Sequence, residues 1–228
     1  MRKIKRKIED LLRRGDEARA FDALSGFPPR RAVNPLFSLL LSTEGRVKWF
    51  AVRALGEITA DMASNDPEGA RVILRRLLWQ LNDESGGIGW GCPEAMGEIL
   101  ARNRALAEEF APILLSYLRE DGNFLEYDPL RRGAVWGVGR LARGHPDLAR
   151  DAEAPLTTLL ESSDPHLRGL AAWALGHVGA EGAAKGRLRT LCSDRRSVAI
   201  FEDGVLSERT VGDLARQALE RVEQSPDG

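Results

Sequence analysis

A twelve-residue pattern that occurs five times limits what this chain can fold into. Val47-Lys-Trp-Phe-Ala-Val-Arg-Ala-Leu-Gly-Glu-Ile58 is matched by Leu167-Arg-Gly-Leu-Ala-Ala-Trp-Ala-Leu-Gly-His-Val178 and by Leu130-Arg-Arg-Gly-Ala-Val-Trp-Gly-Val-Gly-Arg-Leu141. Further copies run from Ile88 to Ile99 and, more weakly, from Val211 to Val222. Aligned on Gly56, Gly97, Gly139, Gly176 and Glu220, the steps are 41, 42, 37 and 44 residues. Self-similarity at such a period means stacked supersecondary units, each burying its apolar face against the next.

The columns of the alignment say what each copy is. One is apolar (Val47, Ile88, Leu130, Leu167, Val211), and two are small (Ala51, Cys92, Ala134, Ala171, Ala215; Ala54, Ala95, Gly137, Ala174, Ala218). Two more are large and apolar (Leu55, Met96, Val138, Leu175, Leu219; Ile58, Ile99, Leu141, Val178, Val222). Their offsets are helical, so each copy is one helix with one buried face, and the small columns let neighbouring helices approach closely. An apolar, helix-period segment precedes each copy, at roughly 33–42, 67–82, 105–119, 147–162 and 181–193. Pro35, Pro112 and Pro155 should bend or restart the first helices that contain them. In the second copy Pro93 suits a first helical turn, so that helix should start later than its counterparts.

Val47–Ile58 and Leu167–Val178, the latter introduced by Asp164-Pro165, resemble the second helix of HEAT repeats of the phycobilisome-lyase type. The resemblance covers about residues 30–222. It implies an all-α, right-handed α-solenoid of about five HEAT-like helical hairpins, with the second helices lining the inner, concave surface. The expected organisation is a single repeat domain over 1–228: an N-terminal helical cap at 1–28, repeats at 33–60, 67–103, 105–144, 147–179 and 181–223, and a tail at 224–228. Two stretches depart from the pattern. The turn at 121–128 is lengthened, and an insertion follows Cys192. Within it Val198-Ala-Ile-Phe201 and Val205-Leu206 flank Asp203-Gly204, a pattern that predicts a small β-hairpin near 197–206.

Composition narrows the function classes. Lys and Arg number 33 against 34 Asp and Glu, and the pI is about 6.4. That balance weighs against a dedicated nucleic-acid-binding domain. Residues 1–14 are nevertheless locally basic, with Ile4, Ile8, Leu11 and Leu12 on the other face. The segment is read as an end cap with a solvated basic side, and the alternative is contact with nucleic acid or an acidic membrane. Cys92 and Cys192 have no metal or disulfide spacing, and no apolar run is long enough to insert in a membrane. With no apolar leader at the N-terminus, the expected location is cytoplasmic.

The candidate site is the second stripe of each second helix, which the resemblance turns toward the concave side. It carries Trp49, Arg53, Trp90, Glu94, Glu98, Arg132, Trp136, Arg140, Trp173 and His177. Four of the five tryptophans fall there, and only Trp79 does not. Flat apolar platforms among orienting charges are the usual makeup of a ligand or peptide site. On this reading Trp136→Ala barely changes stability and weakens ligand binding. The competing reading packs each indole between repeats. Glu94 and Glu98, one turn apart, could share a proton for acid–base work, but a structural ion pair with Arg132 and Arg140 is favoured. Cys92 fills an alanine column and reads as a buried small residue. His177 lacks a second ligand in register. The glycines before Pro93 in Asp83–Met96 could cradle an anion at a helix N-terminus, or simply form a flexible turn.

No catalytic set, cofactor motif or metal site is evident. The favoured function is a non-catalytic interaction scaffold that takes a peptide or protein segment, or else a small ligand, in a Trp-lined groove. One alternative is a nucleic-acid enzyme, because the loose Trp90…Glu94…Arg132…Trp136 set looks similar to the concave face of HEAT-like DNA glycosylases. Another is a tetrapyrrole lyase or chaperone, implied by repeat type alone. The iron-dependent HEAT-like hydroxylases use His-Glu pairs, and this chain has no His-Glu dipeptide.

Overall fold

Three of the four glycines that anchor the alignment lie tight against a neighbouring helix in the computed structural model, which describes residues 2–82 and 89–224. A Cβ at Gly56 would fall 2.4 Å from Cγ of Glu98. At Gly139 it would fall 2.3 Å from Cζ3 of Trp173, and at Gly176 2.9 Å from Cα of Ala218. These three positions need glycine because another helix occupies the space of the side chain.

The chain falls into two compact units, Met1–Asn103 and Arg104–Gly228. The first holds α1 (Arg2–Arg13), α2 (Glu17–Ser25), α3 (Pro29–Leu40), α4 (Gly45–Ala63), α5 (Pro67–Leu81) and α6 (Cys92–Arg102). Helices α1 and α2 form the expected capping pair. Gly15 between them takes a left-handed φ of 78°, and Asp16 caps α2 by accepting from the Arg19 amide at 3.1 Å. Ile8, Leu12, Leu36, Leu39, Phe50, Leu55, Leu74 and Leu77 make the core of this unit. The second helices α4 and α6 pack side by side, with Gly56 against the Glu98 side chain. As expected, α6 opens later relative to Gly97 than α4 does relative to Gly56. The glycine-rich stretch at 83–88, including Ile88 of the apolar column, lies outside the described residues, as does the end of the tail at 225–228.

The second unit holds α7 (Arg104–Ser116), α8 (Asp128–Gly144), α9 (Glu153–Leu159), α10 (Pro165–Val178), α11 (Gly182–Leu191), β1 (Ser197–Glu202), β2 (Val205–Thr210) and α12 (Val211–Gln224). Here α10 is flanked by α8 and α12, so three second helices lie in a row. The three prolines behave differently. Helices α3 and α7 run on through Pro35 and Pro112, whereas two 3-10 turns (Pro146–Leu148 and Arg150–Ala152) come before α9, which carries Pro155 in its first turn.

Polar clamps fix the turns of this unit. Asp164 caps α10 through the His166 amide at 3.0 Å and accepts from Arg132 Nε at 2.6 Å. Burial alone would raise its pKa, but these two hydrogen bonds outweigh burial and hold it below the usual carboxylate value. Arg168, itself buried, donates to Asp194 Oδ2 at 2.8 Å and to the carbonyl of Ser162 at 2.6 Å.

The predicted hairpin is present and extends to Thr210. Strands β1 and β2 pair antiparallel from Ser197↔Thr210 to Glu202↔Val205. Asp203 and Gly204 take φ of 51° and 83°, the pair of positive angles that a tight two-residue turn needs.

Candidate functional site

The candidate site divides with the two units, and the two halves differ. In the second unit, Trp136 on α8 and Trp173 on α10 stack with ring centroids 6.1 Å apart and planes 11° from parallel. They are 3% and 1% exposed. What covers them is the chain's own hairpin. The Trp136 indole N–H donates to the carbonyl of Phe201 at 2.8 Å, and Trp173 Nε1 donates to the Glu202 carboxylate at 3.0 Å. The Phe201 ring lies 6.3 Å from that of Trp136, and Val198 reaches into the space left by Gly169 on α10.

These indoles are therefore core on one side and hold an extended backbone on the other. The expectation that Trp136→Ala would barely alter stability does not fit this placement, because the side chain is buried and its N–H is used. Register placed the indoles on one stripe but could not show what lay over it. A clue was present in the sequence: Val198, Ile200 and Phe201 need an apolar cover, and the indole stripe supplies one.

His177 sits at the edge of Trp173, 5.1 Å between centroids. Arg221 Nη1 is 2.9 Å from His177 Nε2. A guanidinium can only donate, so Nε2 accepts and the ring proton is on Nδ1. Burial, then the charges of Arg221 and Arg143, push the imidazole down to about 4. Arg221 also reaches Glu202 at 3.3 Å, and Arg143 pairs with Asp203 at 2.6 Å. The hairpin tip thus rests its two acids on arginines of α8 and α12. Sequence reasoning missed Phe201 and Glu202 as members of this cluster, whereas register puts Arg221 on the same stripe. Arg140 is half-buried on α8, and Arg132 is engaged with Asp164.

In the first unit no strand covers the stripe among the described residues. Trp49 is half-buried, with the Lys48 ammonium 5.1 Å from its ring centroid. Trp90 is 42% exposed. It stands on a turn held by its glycines: Gly89 lies against Leu81, and Gly91, with φ of 75°, lies against Leu40. Leu41, next along, is exposed. Arg53 lies over the Phe21 ring at 5.4 Å and pairs with Glu17 of the cap.

Glu94 is 4% exposed and accepts from Lys48 Nζ at 2.5 Å, while its other oxygen is sealed without a hydrogen-bond partner among the described residues. Glu98, also buried, accepts from Arg102 Nε at 2.6 Å. Lys48 on α4 thus meets Glu94, and Arg102, one turn along α6, meets Glu98. The Cys92 thiol is buried against Gln80 at 3.3 Å, and burial, then the Glu94 charge, push it up to about 12. A thiol held protonated is no nucleophile. Trp79, off the stripe, is 67% exposed. Among the described residues no group of three or more His, Cys, Asp or Glu could hold a metal ion, and no helix is long and apolar enough to cross a membrane.

Comparison with known proteins agrees with the helical pattern. Residues 128–178, from the start of α8 to the end of α10, match the HEAT-like repeat family. An uncharacterized protein of Archaeoglobus fulgidus is 34% identical over 85 residues, which is 37% of this chain and 41% of that relative's length. Among solved structures, a designed armadillo repeat protein superposes with a TM-score of 0.54 at 21% identity, covering 88% of this chain and 86% of the other. Computationally designed armadillo repeat proteins for modular peptide recognition give 0.50 at 20% identity, covering 91% and 86%. At such identities the likeness concerns the fold. This chain has an α-helical repeat fold, and its α8–α10 segment matches the HEAT-like repeat family.

Proposed function

We propose that the chain is a non-catalytic interaction module that binds an extended peptide or protein segment on its second-helix stripe, at the end marked by Trp49 and Trp90. The observation that carries this reading is intramolecular. In the second unit the equivalent stripe holds an extended strand, with one indole N–H on a backbone carbonyl and another on an acidic side chain. In the first unit the stripe offers the half-buried Trp49 with flanking charges, and the exposed Trp90 stands on the turn that leads into α6. A flat, rigid aromatic surface is suited to such a contact. The designed armadillo proteins for peptide recognition share the fold and support the same reading.

Selection of displayed random peptides on the intact protein tests the proposal. Peptides so obtained should quench or shift tryptophan emission on binding, and binding should weaken when Trp90 is replaced by alanine. A selection that yields no binder, or binders indifferent to Trp90, contradicts it.

A further inference from the structure

The locally basic N-terminus is more than an even scatter of surface charge. Lys5 pairs with Glu9, and Arg13 with Asp10 and Glu44. Lys3, Arg6, Lys7 and Arg14 have no ion-pair or side-chain hydrogen-bond partner among the described residues, and all four are exposed. They line one shallow depression of about 370 Å³ together with Asp10 and Leu11. Lys3, Lys7, Leu11 and Arg14 follow one another at helical spacing, so they form a single row about 16 Å long at 1.5 Å per residue. The opposite face is spent: Ile8 and Leu12 are buried in the cap.

We propose that this row is a docking surface for an acidic polypeptide segment that carries an apolar residue among its acids, distinct from the Trp49–Trp90 stripe. Four unpaired cations call for a polyanion, and the rest of the lining selects which. Asp10 lines the same depression beside the row, paired with Arg13, and an unbroken run of phosphates would meet its carboxylate there. A peptide can put a neutral residue or a backbone N–H there. Leu11, half-buried in the same depression, gives an apolar side chain something to touch, which a phosphodiester backbone does not exploit. A bilayer is disfavoured for a related reason. The apolar face that would enter it is already packed against the protein, leaving charge alone to hold the membrane. Spacing fits an extended peptide: same-side side chains recur about every 6.7 Å along a strand, against about 5–6 Å between neighbours on a helix row.

The test uses the whole chain and fluorescein-labelled peptides of about nine residues, one all glutamate and one with a central leucine. A single-stranded oligonucleotide of similar charge and phosphatidylserine vesicles serve as rivals, all at about 50 mM salt. The leucine-centred peptide should bind best of the four. Arg6→Glu/Lys7→Glu, which changes only exposed side chains, should weaken it about tenfold or more without moving the thermal midpoint. Leu11→Ser should weaken the leucine-centred peptide and leave the all-glutamate one unchanged. Absence of binding, equal or tighter binding of the oligonucleotide or vesicles, or indifference to either substitution overturns the proposal. Since none of these variants touches Trp49 or Trp90, its failure leaves the stripe proposal standing.

Discussion

The indole N–H of Trp136 donates to the carbonyl of Phe201 across 65 residues of sequence, at 2.8 Å, in the buried interior of the second unit. This bond joins a repeat helix to the inserted hairpin and makes the insertion part of the unit's core. Its loss should be costly. Trp136→Ala should lower unfolding free energy by about 3–5 kcal/mol in a urea titration, the range for deleting a core aromatic. Trp136→Phe keeps most of the volume and strands the carbonyl, and should cost about 1–3 kcal/mol. A loss below about 1 kcal/mol for the alanine variant would mean that the hairpin does not rest on this indole.

The glycine columns make a paired prediction. Gly139→Ala puts a methyl 2.3 Å from the Trp173 ring, and Gly176→Ala puts one 2.9 Å from the Ala218 backbone. Each should destabilise by about 1–3 kcal/mol through overpacking. Gly186→Ala, in α11 with nothing within 4 Å of the new Cβ, should instead stabilise by about 0.5–1 kcal/mol. Thermal midpoints of the three variants decide it, and a common sign would refute the packing argument.

His177 gives the fold a pH dependence. Its folded value, about 4, lies below the ordinary 6.5. Between those values the unfolded chain binds the proton that the folded chain refuses. The stabilisation is therefore complete above about pH 6.5, declines as pH falls, and is spent below about 4. It amounts to at most about 3 kcal/mol at 1.36 kcal/mol per unit, and less after solvent screening. His177→Gln still accepts from Arg221 but does not titrate there, and should flatten the stability profile between pH 4 and 6.5. An unchanged slope would place the titration elsewhere.

Much of the architecture was legible because it rests on local pattern. The apolar and small columns named the second helices, Gly56, Gly139 and Gly176 marked their contacts, Gly15-Asp16 split the capping pair, and Asp203-Gly204 announced the hairpin. The covering of Trp136 and Trp173 was not legible, because periodicity reports which way a side chain faces and says nothing of what a distant insertion lays over it. Lys48 as a partner of Glu94 was not legible for a related reason. Register lists what shares a stripe, and Lys48 reaches Glu94 from the adjoining helix.

The Lys48–Glu94 pair offers a check on that assignment. Lys48→Met removes the ammonium and leaves a buried carboxylate with neither oxygen paired to a cation, which should cost about 3–5 kcal/mol. Adding Glu94→Gln removes the stranded charge and should restore a large part of the loss. Denaturant titration of both single variants and the double gives the coupling. Additive losses would show that the pair does not act as one.

The most direct measurement of the central claim is the affinity of a display-selected peptide for Trp49→Ala, Trp90→Ala and Trp79→Ala proteins, by fluorescence anisotropy. If the second-helix stripe of the first unit is the binding surface, Trp49→Ala and Trp90→Ala should each weaken binding about tenfold or more, as a hot-spot aromatic does. Trp79→Ala, which removes a more exposed indole off the stripe, should leave affinity unchanged. Peptides that lose affinity on Trp79→Ala and keep it on the other two would contradict the account.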